Sequence, residues 1–359
     1  MRDLPFSGRA RLGAWLLLAA TTAPAIACGP GGQQSTICLF RDTINKPESR
    51  SQRRALMAQG LSKFCDQMKS HNAPLRLAPD APVIGRYYPT DCKQREVEGG
   101  DLFVEFSGYG YAWTNLSKKM TFTMAGAVEY NQDFLIAKDE CDLYAYFRTR
   151  RVASSDFRIH RIEAQLAAFV NALSPMGENF GRQLVAGKLT EGFTVIHDHK
   201  GSDDFGLGIV ELGRRPAHPI AIHGSDRIAV ESNRTEIHQN QRDFIGPIEI
   251  SESGRALFLT AQVEGAPAVD LMIYGKDAAE QALRLYFEYP QSGPIPAPPV
   301  HTEVVAAGAP FSRAVPLPRG WYYVVLDNTA TAGPTNPPGG FMDDRAATVS
   351  YGVQIGDAP

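Results

Sequence analysis

The chain reads as an α+β N-terminal domain, with an antiparallel sheet and long helices, followed by an all-β sandwich of jelly-roll type. Two observations predict this. The first half of the 359 residues switches between helical spacing of apolar side chains and strict alternation, whereas the second half alternates almost throughout. A third observation, a leader-like start, places both parts behind an export signal. The expected boundaries are a signal peptide at 1–27, a tether at 28–44, the α+β domain at 45–200 and the sandwich at 201–359.

Arg2, Arg9 and Arg11 give a basic start, and an apolar run from Leu12 to Ala20 follows. Ala25-Ile26-Ala27 then offers a small-x-small cleavage site just before Cys28. Thr21, Thr22 and Pro24 stop the apolar run short of a bilayer span. Five cysteines are an odd number for an exported chain. Setting Cys28 aside leaves Cys38, Cys65, Cys92 and Cys141, enough for two disulfides in an oxidising compartment. The plainer alternative is ordinary cleavage that leaves Cys28 as a thiol or in a disulfide. Gly29 to Gln34 has the composition of a flexible tether. With 36 Lys and Arg against 39 Asp and Glu, the net charge of −3 predicts no general affinity for nucleic acid.

Asn45-Lys46-Pro47-Glu48 reads as a helix start, with Asn45 as cap and Pro47 in the first turn. Met57, Leu61, Phe64 and Met68 form one apolar stripe behind it. From Val83 to about Arg150 the period is two: Met120, Phe122, Met124, Val128 and Tyr130 share a face, as do Cys141, Leu143, Ala145 and Phe147. Cys92 with Cys141 as a link between strands, and Cys38 with Cys65 as a tie to the first helix, is one of three possible pairings. The sequence does not choose among them. Ile162, Leu166, Phe169, Leu173, Met176, Phe180 and Leu184 then predict a long helix, kinked or divided near Ser174-Pro175 and closed at Gly187. Beyond Ser202, alternating segments begin at Leu257, Val269, Leu283, Trp321 and Val349, with turns at Pro290–Pro299 and Gly333–Gly340 between them.

Several groups could carry chemistry. Phe103, Tyr109, Tyr111 and Trp113 crowd one strand face, opposite Gly108, Gly110 and Ala112. A glycine-lined strand admits a close neighbour, either a packed helix or a long ligand. With Phe169 and Phe180 these four aromatics are the candidate ligand-lining set. His197 and His199 are metal-ligand candidates with too few partners to make a site, and Lys200 opposes a cation beside them. Glu236, His238 and Asp243 could do acid–base work, against the plainer reading of a polar turn. No nucleophile elbow, His-Glu-x-x-His or phosphate loop occurs, so no catalytic residue, metal or other cofactor is assigned.

Ala25-Ile26-Ala27-Cys28 resembles the lipobox of bacterial lipoproteins, with Ala25 where Leu is usual. That resemblance implies acylation of Cys28 and a membrane anchor. The stripe Ile162 to Leu184 and the strand Leu102 to Trp113 resemble, in topology, half of the tubular lipid-binding family that includes bactericidal permeability-increasing protein. That family implies a groove for acyl chains, and no binding residue is carried across. Val269 to Tyr274 and Gly320 to Val325 resemble pre-peptidase C-terminal sandwiches, which implies an accessory or binding module. The leading expectation is an exported, lipid-anchored, non-enzymatic envelope or surface protein that binds a protein partner or ligand. A hydrophobic-ligand carrier and a metal-dependent or hydrolytic enzyme are the alternatives.

Overall fold

The computed structural model describes residues 36–78, 81–114, 118–163, 189–197, 203–216, 218–220, 227–289, 292–337 and 346–359. Within them, a helical arm precedes one large antiparallel sheet, and two smaller sheets follow. The arm contains α1 (Thr36–Leu39), α2 (Arg41–Ile44), α3 (Arg50–Leu61) and α4 (Phe64–Lys69). The sheet runs in sequential order through β1 (Ala73–Leu75), β2 (Gly85–Glu96), β3 (Leu102–Thr114), β4 (Lys118–Ile136), β5 (Leu143–Ile162), β6 (Phe193–His197) and β7 (Asp203–Leu207). At 19 and 20 residues, β4 and β5 far exceed the usual strand. Three register shifts between them mark bulges, which bend and twist such long strands.

Alternation decides what each face buries. Leu102, Val104, Phe106 and Ala112 of β3 join Met120, Phe122, Val128 and Tyr130 of β4 in one core. Met57, Leu61, Phe64 and Met68 of the arm pack against that core, although the helix breaks between α3 and α4. Polar staples fix the arm as well. Arg53 donates two hydrogen bonds to Asp133, at 2.8 and 3.0 Å. The buried Asp101 accepts from Arg54, Asn131 and Arg150, and these partners hold its carboxyl below the usual range against the cost of burial. Asn45 does not cap the start of a helix as expected: it stands at the C-terminal end of α2, and its amide side chain pairs with the backbone N–H and carbonyl of Ile136.

The second unit is a sandwich. It contains β8 (Ile228–Ile237), β9 (Gln241–Ile250), β10 (Arg255–Glu264), β11 (Ala268–Gly275), β12 (His301–Ala306), β13 (Phe311–Pro316), β14 (Gly320–Asn328) and β15 (Ala347–Asp357). The sheet orders β13-β10-β15-β8 and β12-β11-β14-β9 are those of an eight-stranded jelly roll. Leu257, Leu259 and Val263 of β10 meet Leu271 and Ile273 of β11 and Val349 and Val353 of β15 between the sheets.

The α+β expectation is overturned. The chain is mostly β, and its described helices are short. Ile162, expected to open a long helix, is the last residue of β5. Its polar neighbours Ser154-Ser155-Asp156 hide the alternation of Phe157 and Ile159. The remainder of that expected helix, 164–188, lies outside the described residues. The strand expected at Leu283–Tyr289 is helical instead, within α5 (Lys276–Glu288). Its buried residues Ala279, Ala282, Leu283 and Tyr286 follow spacings of three, one and three, the mark of a helix face. β7 completes the first sheet, so strand pairing carries that sheet past the expected join at 200/201.

The disulfides are Cys38–Cys141 and Cys65–Cys92, with Cα separations of 5.7 and 5.2 Å. The pairing of Cys92 with Cys141 fails for a geometric reason. Two strands stand between β2 and β5, and at about 4.8 Å per strand step they are too far apart for one bridge. Peptide mapping without reductant is expected to recover the 38–141 and 65–92 linked fragments. Replacing Cys65 and Cys92 by Ser should cost roughly 3–4 kcal/mol in denaturant unfolding, and removing the longer Cys38–Cys141 loop about 4.7 kcal/mol.

Candidate functional site

The aromatic face of β3 meets the jelly roll. Tyr111 is buried between Tyr286 of α5, edge-on at 5.2 Å, and Phe244 of β9. Tyr109 lies flat on Tyr88 and edge-on to Phe287. Trp113 is buried and stacks on His238. Phe103 sits further down the face under the guanidinium of Arg95, 4.4 Å from the ring centre. On the opposite face, a Cβ on Gly108 would strike the Tyr88 carbonyl first and then the Tyr87 ring, and one on Gly110 the Phe122 ring and the Arg86 carbonyl. The glycines thus serve close packing inside the sheet, and three of the four aromatics form a contact between units. Phe169 and Phe180 lie outside the described residues.

A charge cluster lies beneath this contact. Arg86 of β2 is fully buried and donates to Asp243 through Nε at 2.6 Å and Nη2 at 2.8 Å. It also donates to Asn72 at 2.6 Å, Glu231 at 3.1 Å and the Tyr351 hydroxyl at 2.6 Å. Burial opposes its charge, yet Asp243 and Glu231 hold the guanidinium protonated well above its ordinary value. Tyr111 donates to Asp243 at 2.9 Å and accepts from the Phe244 N–H. Tyr88 donates to the Phe244 carbonyl at 2.7 Å. Two carboxylates thus compensate one guanidinium, and neutral hydroxyls satisfy the remaining lone pairs.

Lys119 of β4 adds a second tie. Its ammonium donates to the carbonyls of Tyr286 and Tyr289, at 3.0 and 2.9 Å, where α5 ends. A cation suits the negative end of a helix. Burial lowers the Lys119 pKa to about 8, with Glu163 opposing and Arg242 adding to that fall. Arg242 is buried alongside, bound to Asp327, Thr329, Thr331 and the Gly293 carbonyl.

Among the described residues, a crevice between the units lined by Ile84, Trp113, Lys119, Thr235 and Gln241 among others leaves room for about 10 Å³, the size of one water. Chemically, the arrangement binds the two units to each other. Asp243 is engaged by Arg86 and Tyr111, and His238 pairs with Glu236 at 2.6 Å while lying on Trp113. The three acid–base candidates are therefore built into the contact. His197 faces Asp203 at 2.7 Å, and His199 lies outside the described residues, as does Cys28. Among the described residues, no group of three or more His, Cys, Asp or Glu is placed to hold a metal. Sequence reasoning missed Arg86. Its one signal is a lone cation amid the apolar and aromatic residues Val83 to Tyr88.

No protein-family model matches the chain, and no curated protein matches it. Among solved structures it is similar to a chain from Bacillus endospore appendages, described as a novel family of disulfide-linked pili. That match has 14% identity and a TM-score of 0.22, and covers 40% of this chain and 99% of that one. A score so low carries no argument. The two disulfides themselves fit an oxidising, extracytoplasmic compartment. No described helix is long and apolar enough to cross a membrane, which says nothing about strands.

The junction makes stability depend on pH with a definite sign. Burial raises the pKa of Tyr88, Tyr111, Tyr286 and Tyr351, so the folded chain keeps protons that the unfolded chain releases near pH 10. Stability is therefore full below about pH 10 and falls as the pH rises past it. Lys119 works in the opposite sense, adding a smaller gain between about pH 8 and pH 10.4, because its folded pKa is the lower one. Urea unfolding across that range, read with tyrosinate absorbance, should show a shallow rise, then a steep loss coincident with tyrosinate formation.

Proposed function

We propose that this chain is an exported, lipid-anchored, non-enzymatic protein of the bacterial cell envelope, held to a membrane through acylated Cys28 and presenting its jelly roll to a partner. Cysteine parity carries the reading. The four cysteines after the leader bond to one another, Cys38 to Cys141 and Cys65 to Cys92. Cys28 is thereby left over, at the position where a lipobox-like cleavage site would expose it for acylation. A non-enzymatic role is favoured because the described acid–base candidates Glu236, His238 and Asp243 are engaged where the two units meet. The jelly roll is the natural presenting module, since its β12 and β13 edges lie opposite the edges, β8 and β9, nearest the first unit.

Mass spectrometry of the protein purified from its own envelope tests the reading. The expected result is an N-terminal Cys28 carrying acyl chains, with two disulfides, and loss of membrane association in Cys28→Ala. A mature protein with unmodified Cys28, or one retained in the cytosol with its leader intact, contradicts it.

A further inference from the structure

The two units are joined a second time, along β7. The strap that follows β7, residues 208–216 and 218–220, is pinned to the first unit at its start. Thr194 donates through its hydroxyl to the Gly208 carbonyl at 3.2 Å and accepts from the Val210 N–H at 3.0 Å. Tyr144 donates to the Arg214 carbonyl at 3.1 Å, and Arg215 pairs with Glu140 and Asp142 of the β4–β5 turn. Ile209 and Val210 pack against the small cluster of Tyr144, Tyr146 and Ile196. The far end of the strap belongs to the jelly roll, where the Ser232 hydroxyl of β8 donates to the Ile220 carbonyl at 3.1 Å. β7 and β8 are themselves in contact.

His218 sits between these two sets of attachments. Its Nε2 lies 3.0 Å from the carboxylate of Asp204 on β7, and the Ser232 backbone on β8 also favours the charged ring. Asp204 raises the imidazole above its ordinary value, while burial and the guanidinium of Arg215 oppose that rise. Arg215 stands 3.7 Å from the same Asp204 oxygen, and the neighbouring Asp203 is paired with His197 at 2.7 Å. An imidazolium donates from both ring nitrogens, a neutral imidazole from only one. The protonated ring can therefore serve β7 and β8 together, and the neutral ring only one of them.

We propose that His218 is a proton-operated clasp between β7 and β8, closing the strap at acidic pH and loosening it as the pH rises. The sign follows from linkage. A histidine whose folded pKa lies above the ordinary 6.5 contributes fully below about pH 6.5, and its contribution is lost as the pH climbs through the folded value. Arg86 keeps its charge throughout that range, so the units stay joined at their other contact while the strap responds. The clasp does not depend on acylation of Cys28.

Amide hydrogen exchange of the full mature protein, read by mass spectrometry from about pH 5 to pH 8.5 and corrected for intrinsic rates, tests the clasp. Peptides covering residues 208–220 are expected to lose protection severalfold as the pH rises, with a midpoint above about 6.5, while peptides from β9 and β14 stay constant. His218→Gln should show the weakly protected strap at every pH, and Asp204→Asn should bring the midpoint down. His197→Gln, which removes the neighbouring pair, should leave the transition in place. Strap protection that does not vary with pH overturns the proposal, as does a transition that persists in His218→Gln. A transition abolished by His197→Gln assigns the response to the His197–Asp203 pair and also overturns it. Should His218→Gln fail to fold, NMR titration of the His218 ring in the unaltered protein decides. A midpoint above about 6.5 that coincides with strap exchange supports the clasp, and a midpoint at or below that value overturns it.

Discussion

The buried guanidinium of Arg86 is the constraint around which the two units are arranged. An ion removed from water costs several kcal/mol unless opposite charge and hydrogen bonds surround it. Every partner that meets this need except Asn72 comes from the jelly roll: Asp243 on β9, Glu231 on β8 and Tyr351 on β15. Separating the units would leave Arg86 in a half-apolar strand and two carboxylates facing a vacated contact. Breaking such a pair from one side costs about 3–5 kcal/mol, comparable with the stability of many whole domains.

Backbone pairing reinforces the same junction. Val83 lies parallel to β8, accepting from the Glu236 N–H at 2.9 Å and donating to the Arg234 carbonyl at 2.7 Å. It thereby pairs part of an edge that would otherwise be open to a foreign strand. Lys119 fixes the end of α5, and Tyr88, Tyr111 and Trp113 fill the space between. At the other end of the sheet, the disulfides and the Arg53 and Arg54 ion pairs hold the arm down. The arm is thus fixed to one end of the long sheet, and the jelly roll meets the sheet both around Val83 and Lys119 and along β7.

Much of this was legible where alternation and parity speak directly. The strand Leu102 to Trp113 and the sandwich strands of β10, β11 and β15 follow from period two, because each has one face in a core. Two intrachain bridges followed from an odd cysteine count. Other features were hidden for physical reasons. The upper part of β5 is polar on its exposed face, so a real strand lacks the apolar signal. The apolar residues of α5 happen to alternate at Leu283, Leu285 and Phe287, and its alanines, which reveal the helical face, carry little weight in a hydropathy reading. The aromatic face of β3 announces that something packs there without saying what. Arg86 and Asp243 stand 157 residues apart, and no local pattern links them. Cysteine pairing depends on strand order, which spacing alone does not give.

Calorimetry of the full mature chain tests the central claim most directly. If the Arg86 cluster couples the units, the native protein unfolds in one transition whose calorimetric and van't Hoff enthalpies agree, and Arg86→Met splits it into two at lower temperature. Two independent transitions in the native protein, unchanged by Arg86→Met, would contradict it.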